Sequence, residues 1–133
     1  MTVLTLGTFD TPHLGHAIFL RRCSKLGPLR VGVNTDEFVE QYKGRPPLFT
    51  FDERTRLIEQ LGYPTLPNPS AGRDTILRIK PDVLAVGADW AGRDYYGQIG
   101  VRQWELDQWG ILLVYVAFQP IISTTWIVER ARG

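Results

Sequence analysis

The stretch Val3-Leu4-Thr5-Leu6-Gly7-Thr8-Phe9-Asp10-Thr11-Pro12-His13-Leu14-Gly15-His16 decides how the chain folds. An apolar run of strand length, Val3 to Leu6, passes through a polar turn into a helix start. The first N–H groups of a helix have no intrahelical partner and carry the positive end of its dipole, so such a junction is an anion site. Thr11 suits the N-cap and Pro12 the first helical position, where a missing N–H is harmless. His13 and His16 then fall in the first turn, about one turn apart on the same side. Two imidazoles beside exposed N–H donors suit a polyphosphate, because they can donate to oxygens that gain charge in phosphoryl transfer. The residues alone leave a second reading open, a capped helix with two exposed histidines.

Outward from this junction, short apolar runs alternate with helical patterns, the sequence form of a parallel sheet with helical crossovers. The first helix extends from Pro12 to Leu26 and is closed by Gly27-Pro28. Leu29 to Val33 reads as the second strand, and Asn34-Thr35-Asp36-Glu37-Phe38 caps and opens a short helix with acids near its positive end. A helix from Phe51 to Leu61, a short strand at Thr65-Leu66 and a short helix from Asp74 to Ile79 follow. Asp82 to Val86 is continuously apolar after its first residue, as a strand buried on both faces is. A helix from Ile99 to Trp109 and a strand from Ile111 to Val116 complete the pattern, so residues 1–133 are expected to form one α/β domain.

Composition bounds the function. With 133 residues the chain can bury a core without metals or disulfides, and 44% hydrophobic residues with mixed charges indicate a globular protein. A formal net charge of +1 gives no general case for nucleic acid. Cys23, the one cysteine, excludes an internal disulfide and a cysteine-based metal cluster; it shares a helical face with Phe19, Leu20 and Leu26 and reads as core. No apolar stretch reaches the roughly 20 residues of a membrane span, and the first residues lack the pattern of a signal peptide, so a cytoplasmic location and no membrane partner are expected.

Several other residues stand out. Lys43-Gly44-Arg45-Pro46-Pro47 breaks the helical pattern and is a loop with two cations, a form that solvated surface loops share. In the Phe51 to Leu61 helix, Arg54 falls inside the stripe formed by Phe51, Leu57, Ile58 and Leu61. A buried guanidinium is costly unless it meets an anion, so Arg54 faces either a structural carboxylate or a phosphate. With strand order 3-2-1-4-5, the first and fourth strands are neighbours, and Asp10 and Asp89 at their carboxyl ends would flank one crevice, where ligands sit in open α/β sheets. Trp90 either packs under a loop or contacts a ligand. Arg93, Tyr95 and Tyr96 lie in the polar, aromatic loop 91–97 and are candidates for contact with a second substrate. Ser123 is a good N-cap, and Ile122 with Ile127 forms a hydrophobic staple into a last helix. Its free N–H groups, with the hydroxyls of Ser123 and Thr124, make a second anion cradle.

Four matches in order carry a resemblance. The string Gly7-Thr8-Phe9-Asp10 followed by His13, Gly15 and His16 resembles the signature of the cytidylyltransferase-like nucleotidyltransferases, which include glycerol-3-phosphate cytidylyltransferases and adenylyltransferases that make activated sugars. Phe51-Asp52-Glu53-Arg54, Gly87-Ala88-Asp89-Trp90 and Ile121-Ile122-Ser123-Thr124-Thr125 resemble three further segments of that family. The resemblance implies a Rossmann-like domain with a five-stranded parallel sheet, order 3-2-1-4-5, with helices on both faces. It implies transfer of CMP from CTP to a small phosphorylated acceptor such as glycerol 3-phosphate, with Mg²⁺ accompanying the triphosphate, and a homodimer. It further implies that His13, His16, Lys43 and Arg54 carry catalysis. Gly7, Thr8, Phe9, Asp10, Gly15, Asp89, Trp90, Ser123 and Thr124 would bind the nucleotide. An arginine that glycerol-3-phosphate enzymes place shortly before the serine is replaced here by Phe118-Gln119-Pro120, with Arg130 as a substitute or as a complement to the helix dipole. Two alternatives therefore stand beside CMP transfer: an adenylyltransferase acting on a sugar phosphate, and a nucleotide-binding module without catalysis.

Overall fold

A computed structural model describes residues 1–10 and 14–117. Five strands, β1 (Val3–Gly7), β2 (Leu29–Asn34), β3 (Thr65–Asn68), β4 (Val83–Gly87) and β5 (Leu112–Val116), form one sheet in the order β3-β2-β1-β4-β5. Every pairing is parallel. The sheet order expected from the sequence is therefore the observed one. All five residues of β4 are buried, as its unbroken apolar run requires.

Alternation along the strands sorts the core into two layers. Val3, Val31, Val33, Val83 and Ala85 pack with Phe19, Leu20 and Cys23 of α1 (Leu14–Ser24) and Ile58 of α3 (Phe51–Gln60). Leu4, Leu84 and Val86 face the other way, against Ile76 of α4 (Arg73–Ile79), Ile99 of α5 (Tyr95–Ile99) and Leu106 of α6 (Gln103–Trp109). Helix α2 (Asp36–Lys43) follows β2 and buries Val39. Burial pushes the Cys23 thiol up to about 12, which leaves it a filler of the first layer.

Local chemistry sets the helix ends near the sheet's carboxyl edge. Thr35 caps α2 by accepting from the Phe38 N–H, and Gly44, at φ 76°, closes the helix in the left-handed region. Thr50 and Glu53 form a reciprocal capping box on α3. The described part of the first helix begins at Leu14; Thr11, Pro12 and His13 lie outside the described residues, as do Ser123, Thr124, Arg130 and the helix expected after them.

Two sequence expectations are corrected. The helix expected from Ile99 to Trp109 begins only at Gln103; Ile99 instead ends the preceding helix, because Gly100 takes φ 71° and its N–H closes α5 on the Tyr96 carbonyl. In α3 the buried side is Arg54, Thr55 and Ile58, whereas Leu57 and Leu61 are 40% and 48% exposed. Those two leucines sit on the flank of the stripe rather than at its centre.

Gly72 opens α4 at φ 141°, where a Cβ would lie 2.9 Å from Leu6 Cδ1 and 3.3 Å from Ile99 Cβ. A side chain here meets both backbone strain and a filled core. We expect Gly72→Ala to destabilise the protein by about 1–3 kcal/mol, read as a lowered urea midpoint with an unchanged denaturant slope.

Candidate active site

The polar side chains at the carboxyl edge are organised by one buried arginine. Arg54 is 0% exposed, and each of its three nitrogens donates inward. Nη1 donates to the Thr8 carbonyl at 2.7 Å, Nε to the Phe49 carbonyl at 3.0 Å, and Nη2 to Asp36 Oδ1 at 2.7 Å. The other Asp36 oxygen accepts from the Phe51 N–H. Of the two readings the sequence left open for Arg54, the structure shows the structural carboxylate. Its guanidinium ties the end of β1 to α2 and to the start of α3.

The turn it holds is strained. Phe9 is a non-glycine residue at φ 53° and is 7% exposed. Such a conformation persists where surrounding contacts over-determine it, and it clusters at ligand sites. The ring of Phe9 meets that of His16 edge-on, with centroids 5.5 Å apart. Gly7 lies beneath the Phe9 ring, where a Cβ would come within 2.8 Å of Phe9 Cε2. Gly15 is buried and His16 half-buried at the start of α1.

Asp10 does not face the fourth strand. Its carboxylate accepts from the Leu48 and Phe49 N–H groups, both at 2.9 Å, and so pins the loop between α2 and α3. The expected Asp10–Asp89 crevice is thus not formed by Asp10, whose oxygens serve the loop; Asp89 sits exposed in the 3₁₀ turn Ala88–Gly92 after β4. Lys43 ends α2 with its ammonium 5.8 Å from the Tyr42 ring centroid. With Asp10 and Arg45 it lines a cavity of about 150 Å³ under the same loop.

A second cavity, of about 160 Å³, opens at the carboxyl ends of β1, β2 and β3, with Gly7 and Thr8 in its wall. Its lining includes Thr8, Asn34, Tyr42, Asn68, Trp90 and Gln98, and among the described residues no charged side chain. Trp90 stands edge-on to Tyr95, centroids 5.4 Å apart, and carries the Arg93 guanidinium 5.7 Å above its own ring. Tyr95, expected in a loop, is 4% exposed in helix α5 and belongs to the core, where it forms part of the cavity wall. Its hydroxyl is buried without a hydrogen-bond partner, and burial raises its pKa. Tyr96 turns to a different surface, a groove shared with Arg73, Arg102 and Glu105. The three candidates of the 91–97 loop therefore do not converge on one place.

A buried amide network went unseen in the sequence. Thr75 Oγ1 donates to Asn68 Oδ1 at 2.7 Å, Asn68 Nδ2 to Asn34 Oδ1 at 2.9 Å, and Asn34 Nδ2 to Thr8 Oγ1 at 2.9 Å. Thr8 Oγ1 in turn lies 2.9 Å from the Tyr42 hydroxyl. The available signal was a polar residue ending each apolar strand, Asn34 after Val33 and Asn68 after Pro67.

The cytidylyltransferase-like family model matches residues 4–130. The chain belongs to that family. It is similar to a glycerol-3-phosphate cytidylyltransferase of Staphylococcus aureus, 35% identical over 95 residues, covering 68% of this chain and 71% of that protein. It is also similar to the bifunctional protein HldE of Campylobacter concisus, 34% identical over 135 aligned residues, covering 98% of this chain. The chain spans only 27% of the length of that bifunctional protein. Among solved structures, a lipopolysaccharide core biosynthesis protein from Thermoplasma volcanium superposes with a TM-score of 0.72 at 26% identity, covering 90% of this chain and 98% of the other. Gly7 to Asp10, which resemble the family's signature, lie in the strained turn that Arg54 holds, and Gly15 and His16 follow at the start of α1.

Asp10 links this turn to pH. Burial would raise its carboxyl, but the N–H groups of Phe49 and Leu48, with the charges of Arg54 and Lys43, hold it below its ordinary value of 3.8. A depressed carboxylate contributes stability that is complete above the unfolded value and is lost as pH falls through the lower folded value. We expect the Leu48 and Phe49 amide resonances to stay in place from pH 7 to about 4 and to shift together below it, a transition absent in Asp10→Asn.

Proposed function

We propose that this chain is a nucleotidyltransferase that moves CMP from CTP to a small phosphorylated alcohol resembling glycerol 3-phosphate. A phosphate oxygen of the acceptor attacks the α-phosphorus, the bond from that phosphorus to the bridging oxygen breaks, and pyrophosphate leaves. The observation that carries the proposal is the β1–α1 junction: Gly7 and Thr8 border a cavity, while Phe9, in a strained conformation, meets the His16 ring.

In this reaction the protein supplies positioning and charge stabilisation. His16, with His13, donates to the non-bridging oxygens as they gain charge at the pentacoordinate phosphorus. Lys43 adds positive charge from the end of α2, and Ser123 and Thr124 hold the departing pyrophosphate. Asp89 and Trp90 follow β4 beside the cavity mouth. Arg54 acts beneath this layer, since its nitrogens are already engaged by the Thr8 and Phe49 carbonyls and Asp36. A Mg²⁺ ion carried in with the triphosphate would shield its charge, with few direct protein ligands.

A second reading is adenylyl transfer to a sugar phosphate. It is favoured by the neutral cavity, whose amides, hydroxyls and Trp90 suit a hydroxyl-rich ring better than a bare phosphate. Incubating the protein with Mg²⁺, each of the four nucleoside triphosphates and a panel of phosphorylated alcohols and sugars separates the readings by pyrophosphate release. CTP with glycerol 3-phosphate is the expected productive pair; ATP with a sugar phosphate alone establishes the second reading, and binding without release establishes a non-catalytic module. His16→Ala is expected to keep its fold and lose about 10²- to 10³-fold in rate; near-normal turnover by that variant would remove the histidine from the mechanism.

A further inference from the structure

The chain of hydrogen bonds behind the neutral cavity has a direction. Asn34 and Asn68 are register partners at the ends of β2 and β3, 8% and 1% exposed, and Thr75 on α4 is 1% exposed behind them. A carboxamide has a donating and an accepting end, so fixing one end of one amide fixes the next. Thr75 donates to Asn68 Oδ1, which leaves Asn68 Nδ2 toward Asn34 Oδ1, which leaves Asn34 Nδ2 toward Thr8 Oγ1.

The consequence falls on the last pair. The Thr8 and Tyr42 hydroxyls lie 2.9 Å apart and share one hydrogen between them. Two hydroxyls bring two hydrogens, and Thr8 spends none on Asn34, from which it accepts. One O–H is therefore left over, on Thr8 if Tyr42 donates and on Tyr42 if Thr8 donates. Both residues line the cavity. Were the amides reversed, Thr8 would donate to Asn34 and Tyr42 to Thr8, and the pair would offer only lone pairs.

We propose that Thr75, Asn68 and Asn34, oriented as they are here with each amide N–H directed toward Thr8, form a relay that leaves the Thr8–Tyr42 pair with one O–H donor for the cavity, so that the group bound there is recognised through an oxygen lone pair. The relay supplies specificity for the uncharged, oxygen-bearing part of the acceptor. This rests on the proposed nucleotidyl transfer for the identity of the occupant, but the direction of the relay does not. Thr75 does not line the cavity, so it is a positioning residue that acts through Asn68 and Asn34.

The test pairs Thr75→Val, which removes the hydroxyl at nearly constant shape, with Thr75→Ser, which restores the donor. In the ¹⁵N-labelled protein without ligand, the side-chain amide resonances of both Asn68 and Asn34 are expected to shift and to exchange faster with solvent in Thr75→Val, and to return in Thr75→Ser. With CTP and glycerol 3-phosphate, or whichever acceptor of the panel supports turnover, Thr75→Val is expected to raise the acceptor KM roughly 3- to 10-fold, the worth of one hydrogen bond. The CTP KM and kcat should stay within about twofold. An unshifted Asn34 amide, an unchanged acceptor KM, or an equal rise in both KM values would overturn the relay while leaving the transferase reading intact. Absence of pyrophosphate release with every acceptor would instead fail the transferase reading, and the amide resonances would still decide the relay.

Discussion

The carboxyl edge of this sheet depends on a guanidinium that never reaches solvent. Arg54 bonds a carbonyl of the signature turn, a carbonyl of the α2–α3 loop and a carboxylate of α2. Arginine suits the place because its planar fork serves three directions at once, which a lysine ammonium on a flexible stem does not. Asp36 is 38% exposed and Arg54 0%, so it is the guanidinium that loss of these partners would leave buried and uncompensated. The local benefit is positional. With its carbonyl held from below, Thr8 is fixed in the wall of the neutral cavity, and Phe9 keeps a backbone conformation it would not hold alone.

A second anchor, Asp10, holds the same turn from the opposite direction. Its two oxygens take the N–H groups of Leu48 and Phe49, while Arg54 takes the Phe49 carbonyl. The α2–α3 loop is thereby fastened at both faces of one residue. Lys43 and Arg45 precede the fastened point and line the cavity beneath it with Asp10. The neutral cavity, by contrast, is walled by Gly7 and Thr8.

The parallel α/β class was legible because apolar runs of strand length recur between helical patterns, the strand order followed from the family resemblance, and β4 could be read as buried on both faces from its lack of polar alternation. Arg54 was legible as a misfit in the apolar stripe of α3. Its partner was not, because Asp36 lies on another helix and periodicity carries no information on which helices meet. Asp10 departed from expectation for the same reason: its carboxylate turned to the Leu48 and Phe49 N–H groups of a loop whose path periodicity does not reveal. Gly100 fits a helical window in sequence yet ends a helix in space, since its value lies in a positive φ that no hydrophobic pattern reveals. Asn34 and Asn68 are 34 residues apart and become neighbours only through the β2–β3 register. Reading them as a pair requires the sheet first and the sequence second.

The described part of the site offers hydrogen bonds, charge and fixed geometry. The transfer we propose there is a single direct displacement at the α-phosphorus. That claim is tested most directly by the stereochemistry of transfer from a nucleoside triphosphate with a chiral α-thiophosphate to the accepted phosphorylated substrate. One in-line displacement predicts inversion of configuration at phosphorus in the product. Retention, the outcome of two successive displacements through an enzyme-bound nucleotide, would contradict it.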